Sequence, residues 1–429
     1  MKAIKGKFFS RGIHIKDMKE LSASKEIEIL EPQELVLLSL SQHIGKQASP
    51  IVSVGDKVLM GQLIATADGL ISANVYSSVS GEVMGFEERL NPKGNKSNFV
   101  VIKNDFKYTA TTLSPLENFE SESILNRIRE AGIVGMGGAG FPTYVKLSPK
   151  TKVDTLVING AECEPYLTCD YRLMIERFND LVEGILLLKK ALKVEKILVG
   201  IETNKPDAIK LFESIDSMQV VALKKRYPMG SEKHLIYCAT GRKVPVGKLP
   251  SDVGVVVQNI STAIAVYEAV KLNKPLYERA MTVSGKGIVN PKNLLVKFGT
   301  SFETVFNYCG GKKTETVMLI SGGPMMGSTM LSTDYYTKKT DSGLLVLDKS
   351  EADAKNPSLC INCGRCASVC PMKLMPMTID FFTQHEEYEK AKEFGGVLNC
   401  IECGCCSYVC PAKRSLLQSI TLCKSKLRK

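Results

Sequence analysis

The sequence predicts a multidomain α/β chain: a small β domain, an α/β domain with a largely parallel sheet, a small α+β module, and short helices between cysteine clusters. Three observations predict it. At roughly 100–200 residues per domain, 429 residues divide into two to four domains. The apolar pattern changes along the chain from short alternating runs to alternating helices and strands. Cysteines concentrate near the carboxyl end in two copies of one spacing. A composition of 44% hydrophobic and 24% charged residues excludes collagen-like, coiled-coil and wholly disordered chains.

From about Leu30 to Asn104 the runs IVSVGDKVLMGQLIA, LISANVYSSVSGEVMGF and NFVVIKN are broken at Gly55, Gly61, Gly69 and Gly81, which reads as a small β domain within 1–105. Val54-Gly55-Asp56-x-Val58-x-x-Gly61-Gln62 resembles the barrel-sandwich fold of biotinyl and lipoyl carriers. Those carriers need a lysine at a hairpin tip, and none stands between Gly69 and Gly81, so a structural or docking module is expected. Past the polar stretch Lys107 to Glu122, a second domain (106–273) alternates helix and strand. Helices are expected at Ser123–Ala131, Arg172–Lys193 and Pro206–Ser214, and strands at Thr155–Ile158, Ile197–Ile201 and Val220–Leu223. Ligands of open parallel sheets bind beyond the strands' carboxyl ends, which makes the loop Asn159 to Asp170 a candidate site. Residues 274–347 return to strands, Ala280–Val283 and Leu294–Phe298, around one helix, Ser301–Tyr308. Residues 348–429 hold the cysteine clusters, with Pro371 and Pro411 as breakers.

The strongest motif is C-x2-C-x2-C-x3-C-P, first as Cys360, Cys363, Cys366, Cys370 and Pro371, then as Cys400, Cys403, Cys406, Cys410 and Pro411. Three thiolates at three-residue steps can cap one face of a 4Fe-4S cubane, and the fourth must come from elsewhere. In the bacterial ferredoxin pattern the fourth cysteine of each run serves the other cluster. That assigns Cys360, Cys363, Cys366 and Cys410 to one cluster and Cys400, Cys403, Cys406 and Cys370 to the other. A pair of zinc sites is the competing reading, but zinc has no use for the third cysteine and trailing Cys-Pro, repeated twice. Cys405 reads as a spare; Cys163, Cys169, Cys238, Cys309 and Cys423 read as buried apolar side chains.

Gly135-Met136-Gly137-Gly138-Ala139-Gly140 formally satisfies G-x-G-x-x-G, yet a helix rather than a strand precedes it, so the dinucleotide fingerprint fails its context. Four glycines in six residues still allow close backbone approach to a planar ring or phosphate, with Lys146 in reach of a phosphate; a tight turn with no ligand is the alternative. Glu162 and Glu164, leaving a strand, suit ribose hydroxyls or a carboxamide, or form a solvated turn. His14, His43, His234 and His385 fall in no ligand or triad spacing. The net charge of +11 shows neither aromatic interleaving nor a nucleic-acid module, and no nucleic-acid role is expected. The basic residues after Pro411 suit an anionic surface or a frayed end. No apolar run approaches the roughly 20 residues of a bilayer span, and Lys2, Lys5, Lys7, Arg11 and Lys16 leave no apolar leader near the start; a cytosolic chain is expected.

GIVGMGGAGFPTYVK and INGAECEPYLTCDYR resemble the FMN- and NADH-binding subunit of respiratory complex I. With SQHIGKQASPIVSVGDKV, YPMGSEKHLIYCATGRKVP, VVVQNISTAIAVYEAV, SGGPMMG and the doubled cysteine motif, the chain is similar over nearly its whole length to the C subunits of the Rnf ion-translocating ferredoxin:NAD oxidoreductases. That resemblance implies a barrel-sandwich domain, a Rossmann-like FMN/NADH domain, an SLBB β-grasp module and a ferredoxin-type domain with two 4Fe-4S clusters. It places Gly135, Gly137, Gly138, Gly140 and Lys146 on the flavin loop and Asn159, Glu162 and Glu164 along flavin and nicotinamide. Tyr227, Gly230, Glu232, Asn259 and Thr262 fall on later flavin-contacting stretches. Ala161 and Ser231 stand where complex I has acidic residues.

The implied activity is electron transfer between NAD(H) and ferredoxin. NADH gives two electrons together and a cluster accepts one, so a flavin must stand between them, and no protein acid or base is required. The implied partners are integral membrane subunits and a ferredoxin-like subunit of the same complex, with ferredoxin reached indirectly, at the cytoplasmic face of the membrane. A cobalamin reductase of the propanediol-utilisation type resembles the same loop and clusters, but that family starts close to the glycine loop, and the leading domain here disfavours it. A cluster-bearing scaffold that binds no flavin is the non-enzymatic alternative.

Overall fold

The computed structural model describes residues 2–92, 94–352 and 356–427. Its centre is a five-stranded, wholly parallel sheet in the order Ile4–Lys5, Gln219–Leu223, Lys196–Glu202, Thr155–Gly160, Val255–Asn259. The central strands are apolar nearly throughout, as a sheet covered on both faces requires. Strand order reverses at Thr155–Gly160: the chain first moves outward through two neighbours, then returns to lay Val255–Asn259 on the other side. Crevices at such switch points are where open α/β sheets bind ligands.

Helix Ser121–Glu130 ends as expected before Gly132, whose φ of +67° turns the chain toward the glycine loop. The long helix expected over Arg172–Lys193 is two helices, Cys169–Glu176 and Phe178–Leu192. The break is at Arg177, whose backbone leaves the helical region (φ −121°, ψ 36°) while its guanidinium pairs with Asp180 and Glu268.

Two small antiparallel sheets make the barrel sandwich. One runs Leu35–Ser39, Lys96–Asn104, Gly81–Leu90, Lys57–Val58; the other runs Ser49–Pro50, Leu63–Thr66, Val75–Tyr76. Exposed Leu70 lies between Gly69 and Gly81, where a carrier lysine would stand, and its carbonyl accepts a hydrogen bond from Tyr144 of the α/β domain at 2.5 Å. The segment is docked rather than swinging. The first thirty residues add no strand to this sandwich: Ile4–Lys5 joins the parallel sheet and Ile27–Leu30 joins the third domain beside Lys292–Lys297.

That third domain is a six-stranded mixed sheet, Ser328–Met330, Thr316–Ser321, Gly343–Asp348, Glu278–Ser284, Lys292–Lys297, Ile27–Leu30, packed on helix Phe302–Tyr308. The last domain repeats one unit. Each triple-cysteine loop leads into a short helix, Arg365–Val369 or Cys405–Tyr408, and then a longer one, Pro376–Gln384 or Leu416–Lys426. The basic tail is thus helical through Lys426. Lys424 is buried against the Cys400 carbonyl and Glu402, and Arg414 pairs with Asp380 at 2.7 Å; Arg428 and Lys429 lie outside the described residues. Among the described residues no helix is long and apolar enough to cross a membrane.

Candidate functional site

Asn159 and Asn259 are register partners at the carboxyl edge of the parallel sheet, across the switch point. Asn259 caps helix Ile260–Lys271 by accepting from Ser261 N at 2.9 Å, and its Nδ2 donates to Asp170 at 2.6 Å. The glycine loop arches over this helix start. A Cβ on Gly137 would lie 2.8 Å from Asn259 Nδ2, so only glycine fits there, whereas a Cβ on Gly138 would meet nothing within 4 Å. Gly137, Gly138 and Ala139 form an exposed crest between buried Met136 and Gly140. Met136 N donates to buried Thr262 Oγ1 at 3.0 Å, and Gly135 N to Phe141 O at 2.8 Å. The open crest leaves room for a planar ring, while the helix start beneath it is engaged by the Asp170 carboxylate through Asn259 and Ser261.

Around the crest the expected residues separate into those that face the site and those consumed in building it. Lys146 pairs with Glu232 at 2.6 Å, both partly exposed, tying the helix after the loop to helix Glu232–Thr240. Asn159 Nδ2 donates to Gly230 O at 2.9 Å, and Gly230 N to Cys163 Sγ at 3.2 Å. Glu162 turns inward: one carboxylate oxygen accepts from Asp170 N and Tyr171 N at the start of helix Cys169–Glu176, and the other pairs with Lys19 at 3.4 Å. It is buried structure, not a solvated turn. At the two departures from complex I, the Ala161 carbonyl holds buried Lys205 at 2.7 Å, and Ser231 Oγ bonds His234 at 2.6 Å.

Glu164 has a different neighbourhood. Its carboxylate accepts from Met325 N at 3.1 Å, in the SGGPMMG loop, and from the Tyr227 hydroxyl at 3.1 Å; Gly323 presses so close that a Cβ there would collide with it. Burial pushes Glu164 up to about 7, with Tyr227 and the Met325 amide pulling the other way. Tyr227 OH also lies 2.8 Å from the carbonyl of Cys403, so one hydroxyl joins the strand-exit loop to the second cysteine run. The same face is fixed elsewhere by Gly12 N and Arg11 on the carbonyls of Val369 and Ala367, each at 2.9 Å.

None of the 14 cysteines is in a disulfide. Cys360, Cys363, Cys366 and Cys410 together line one cleft, with Ile361 and Met377 on its wall. Cys406 lies within electrostatic reach of Cys400, Cys403 and Cys370, so in both sets the fourth cysteine of one run meets the first three of the other. Burial pushes Cys400 to about 11 and Cys406 to about 12. Each set offers four sulfur donors, three from one run and one from the other, and that donor chemistry fits iron-sulfur ligation. Cys405 is buried beside Cys403; Cys169, Cys238, Cys309 and Cys423 are buried as expected. Cys163 departs from the expectation of full burial: it is half-buried, packed against apolar neighbours with its sulfur accepting from the Gly230 amide.

Sequence reasoning passed over Asp170, which clamps Asn259 and Ser261, and Lys19, which holds Glu162 and the carbonyls of Glu164 and Leu167. Asp170 carried the weak signal of closing the candidate loop. Lys19 carried none, being more than 140 residues away in sequence.

Comparison with known proteins gives three family matches: the RnfC barrel sandwich hybrid domain over residues 7–107, the Nuo51 FMN-binding domain over 128–268, and a 4Fe-4S dicluster domain over 352–411. The chain is 48% identical over 432 residues to the C subunit of the proton-translocating ferredoxin:NAD(+) oxidoreductase complex of Clostridium ljungdahlii, covering 98% of this chain and 94% of that one. It is 43% identical over 429 residues to the C subunit of the Na(+)-translocating complex of Acetobacterium woodii, covering 98% and 97%. Among solved structures, a chain of an air-oxidised NAD+-reducing [NiFe]-hydrogenase shares the fold, with a TM-score of 0.51 at 15% identity over 73% of this chain and 68% of that one. The chain belongs to the family of C subunits of the Rnf ion-translocating ferredoxin:NAD(+) oxidoreductase complexes.

Proposed function

We propose that the chain passes electrons between NAD(H) and ferredoxin through FMN and two 4Fe-4S clusters, as a peripheral subunit of an ion-translocating complex at the cytoplasmic face of the membrane. The observation that carries this is the Glu164–Tyr227–Cys403 junction, where one hydroxyl touches both the strand-exit loop of the α/β domain and the backbone of a cysteine run. Electron flow needs cofactors held a short, fixed distance apart, and this bond fixes the two loops against each other.

The flavin seat is the crest Gly135, Gly137, Gly138 and Gly140, backed by Asn259 and Thr262. Asn159, Gly230, Glu164 and Tyr227 line the approach, and the Lys146–Glu232 pair stands at its edge for phosphate and ribose. Glu162 serves by holding helix Cys169–Glu176 in place. FMN, when bound, takes hydride from NADH and releases electrons one at a time. The side chains bind, orient and exclude water, and none need move a proton for hydride transfer.

Cys370, Cys400, Cys403 and Cys406, next to Tyr227, hold the cluster nearer the flavin. Cys360, Cys363, Cys366 and Cys410 hold the other, toward the surface that meets a ferredoxin-like subunit; integral membrane subunits anchor the whole. Residues 274–347 form an SLBB-type β-grasp module whose Met325 loop seals Glu164.

Anaerobically purified protein tests the reading. About eight iron atoms and one FMN per chain, with NADH-driven reduction of an artificial acceptor, are expected. Iron without flavin and without NADH oxidation would establish the scaffold alternative instead.

A further inference from the structure

A loop with four glycines in six residues has little shape of its own, and a ligand that must order it binds more weakly. Here the loop is ordered from outside. Arg279, on strand Glu278–Ser284 of the third domain and only 3% exposed, donates from Nη1 to the Met136 carbonyl at 3.2 Å and to the Lys339 carbonyl at 2.5 Å. Met136 is thereby held at both ends, its N–H by Thr262 and its carbonyl by Arg279. Lys339, fully buried, donates to Gly132 O at 2.8 Å and Asn74 O at 2.6 Å, fixing the turn that feeds the loop and tying it to the barrel sandwich. At the far end the Thr340 methyl group would lie 2.7 Å from a Cβ on Gly140.

Two long basic side chains aimed at carbonyls are a costly way to fill space, since burial disfavours the charge of both and pushes the Lys339 amine down to about 7, whereas apolar side chains of similar length would carry no such cost. Arg279 Nη2 is buried without a hydrogen-bond partner, so one donor of the guanidinium stays unspent beneath the loop, while Asp170 and Asp341 lie within electrostatic reach of the group.

We propose that Arg279 and Lys339 are positioning residues that shape the glycine loop and so set the chain's affinity for FMN, although both lie outside the stretch matched by the FMN-binding family (128–268). The inference rests on reading that loop as the flavin seat.

The test is an FMN titration, followed by fluorescence quenching, on full-length protein with its clusters in place and its flavin removed. Iron content and thermal unfolding are measured on the same samples. Arg279→Met should weaken FMN binding by roughly tenfold, the loss expected for a charge-assisted hydrogen bond, and Lys339→Met by a smaller factor. Arg279→Lys should restore part of the affinity, because an ammonium can still reach one of the two carbonyls. Iron content should stay near that of the parent, and unfolding should remain a single transition, lowered by a few degrees because buried carbonyls lose their donors.

Unchanged affinity in both methionine variants overturns the inference. So does weakened binding that comes with lost iron and is not restored by lysine, since that would be general unfolding. If Arg279→Met does not fold, Lys339→Met alone decides. Failure of the parent protein itself to quench FMN overturns the flavin seat, a result distinguishable from the others because no variant is involved.

Discussion

Two copies of one cysteine spacing end in opposite surroundings. Cys360 and Cys363 are exposed, flanked by Leu359 and Ile361 at 85% and 66% exposure. Of their counterparts, Cys400 is half-buried and Cys403 is buried at 7% exposure, with its carbonyl held by Tyr227. Spacing alone makes the two runs equivalent as ligands. What differs is the chain packed over them, because the strand-exit loop, the Met325 loop and Arg11 all close on one side of the domain. A repeat in sequence gives two equivalent sets of cysteines; the packing gives the pair an inner end and an outer end.

The largest effects should come from removing one end at a time. Cys403→Ala and Cys363→Ala should each leave about four of about eight iron atoms while NADH still reduces the flavin. They should differ in the fate of the electrons beyond the flavin. In Cys363→Ala the remaining inner cluster is reduced by NADH but passes nothing to an outside acceptor. In Cys403→Ala the remaining outer cluster stays oxidised with NADH, though dithionite reduces it. EPR of both variants decides; if the two behave alike, the inner and outer assignment is broken, and full iron in either breaks the ligand sets.

Next comes Gly138→Val. Because no atom stands within 4 Å of a Cβ at that position, the folded chain can accept the side chain, and both clusters should persist while FMN is lost, at least about a hundredfold in affinity. Gly137→Val is the contrasting change, since it collides with Asn259 and should lower thermal stability as well. Equal FMN content in Gly138→Val and the parent would show that the crest is not the seat.

The elements that carry the candidate site were legible beforehand because cysteine spacing and loop glycines are local patterns. The cysteine runs, the glycine crest and the strand exit at Asn159 all announce themselves within a dozen residues. The break at Arg177 did not, because it depends on Glu268, which is 91 residues away. The pairing of Glu162 with Lys19 and the grip of Arg279 on the loop both join segments more than 140 residues apart, so neither could be read from the neighbouring sequence. The sharing of Ile4–Lys5 and Ile27–Leu30 with two other sheets is likewise set by distant pairing that no local pattern encodes.

A smaller effect isolates the junction through pH. Burial holds Glu164 near 7, above the ordinary 4.5. Between those values the folded chain keeps a proton that the unfolded chain has lost, so stability from this group is full below about 4.5 and falls as pH rises through about 7. Glu164→Gln removes that slope. Relative to the parent, the variant should gain stability on going from pH 5 to pH 8, by up to about 3 kcal/mol. Denaturant midpoints of both proteins at the two pH values measure the difference, and a parallel pair of profiles would show that Glu164 ionises freely. Among the described residues, the cleft lined by Cys360 and Cys410 has no carboxylate on its wall.

The smallest change is Tyr227→Phe, which keeps the ring and deletes one hydroxyl. The Cys403 carbonyl loses its donor and Glu164 loses one of the partners that favour its charged form. The stability cost should be about 1 kcal/mol, typical of one hydrogen bond. Two further readouts separate a bridge from a mere packing contact. The pH midpoint assigned to Glu164 should move upward, because the charged carboxylate has one fewer donor. Reduction of the inner cluster by NADH should slow while flavin reduction keeps its rate, since only the hold between the two loops has been loosened. Slowing at both steps would instead mean that the ring has shifted in the flavin site, and the hydroxyl would then have no special part in joining the two ends.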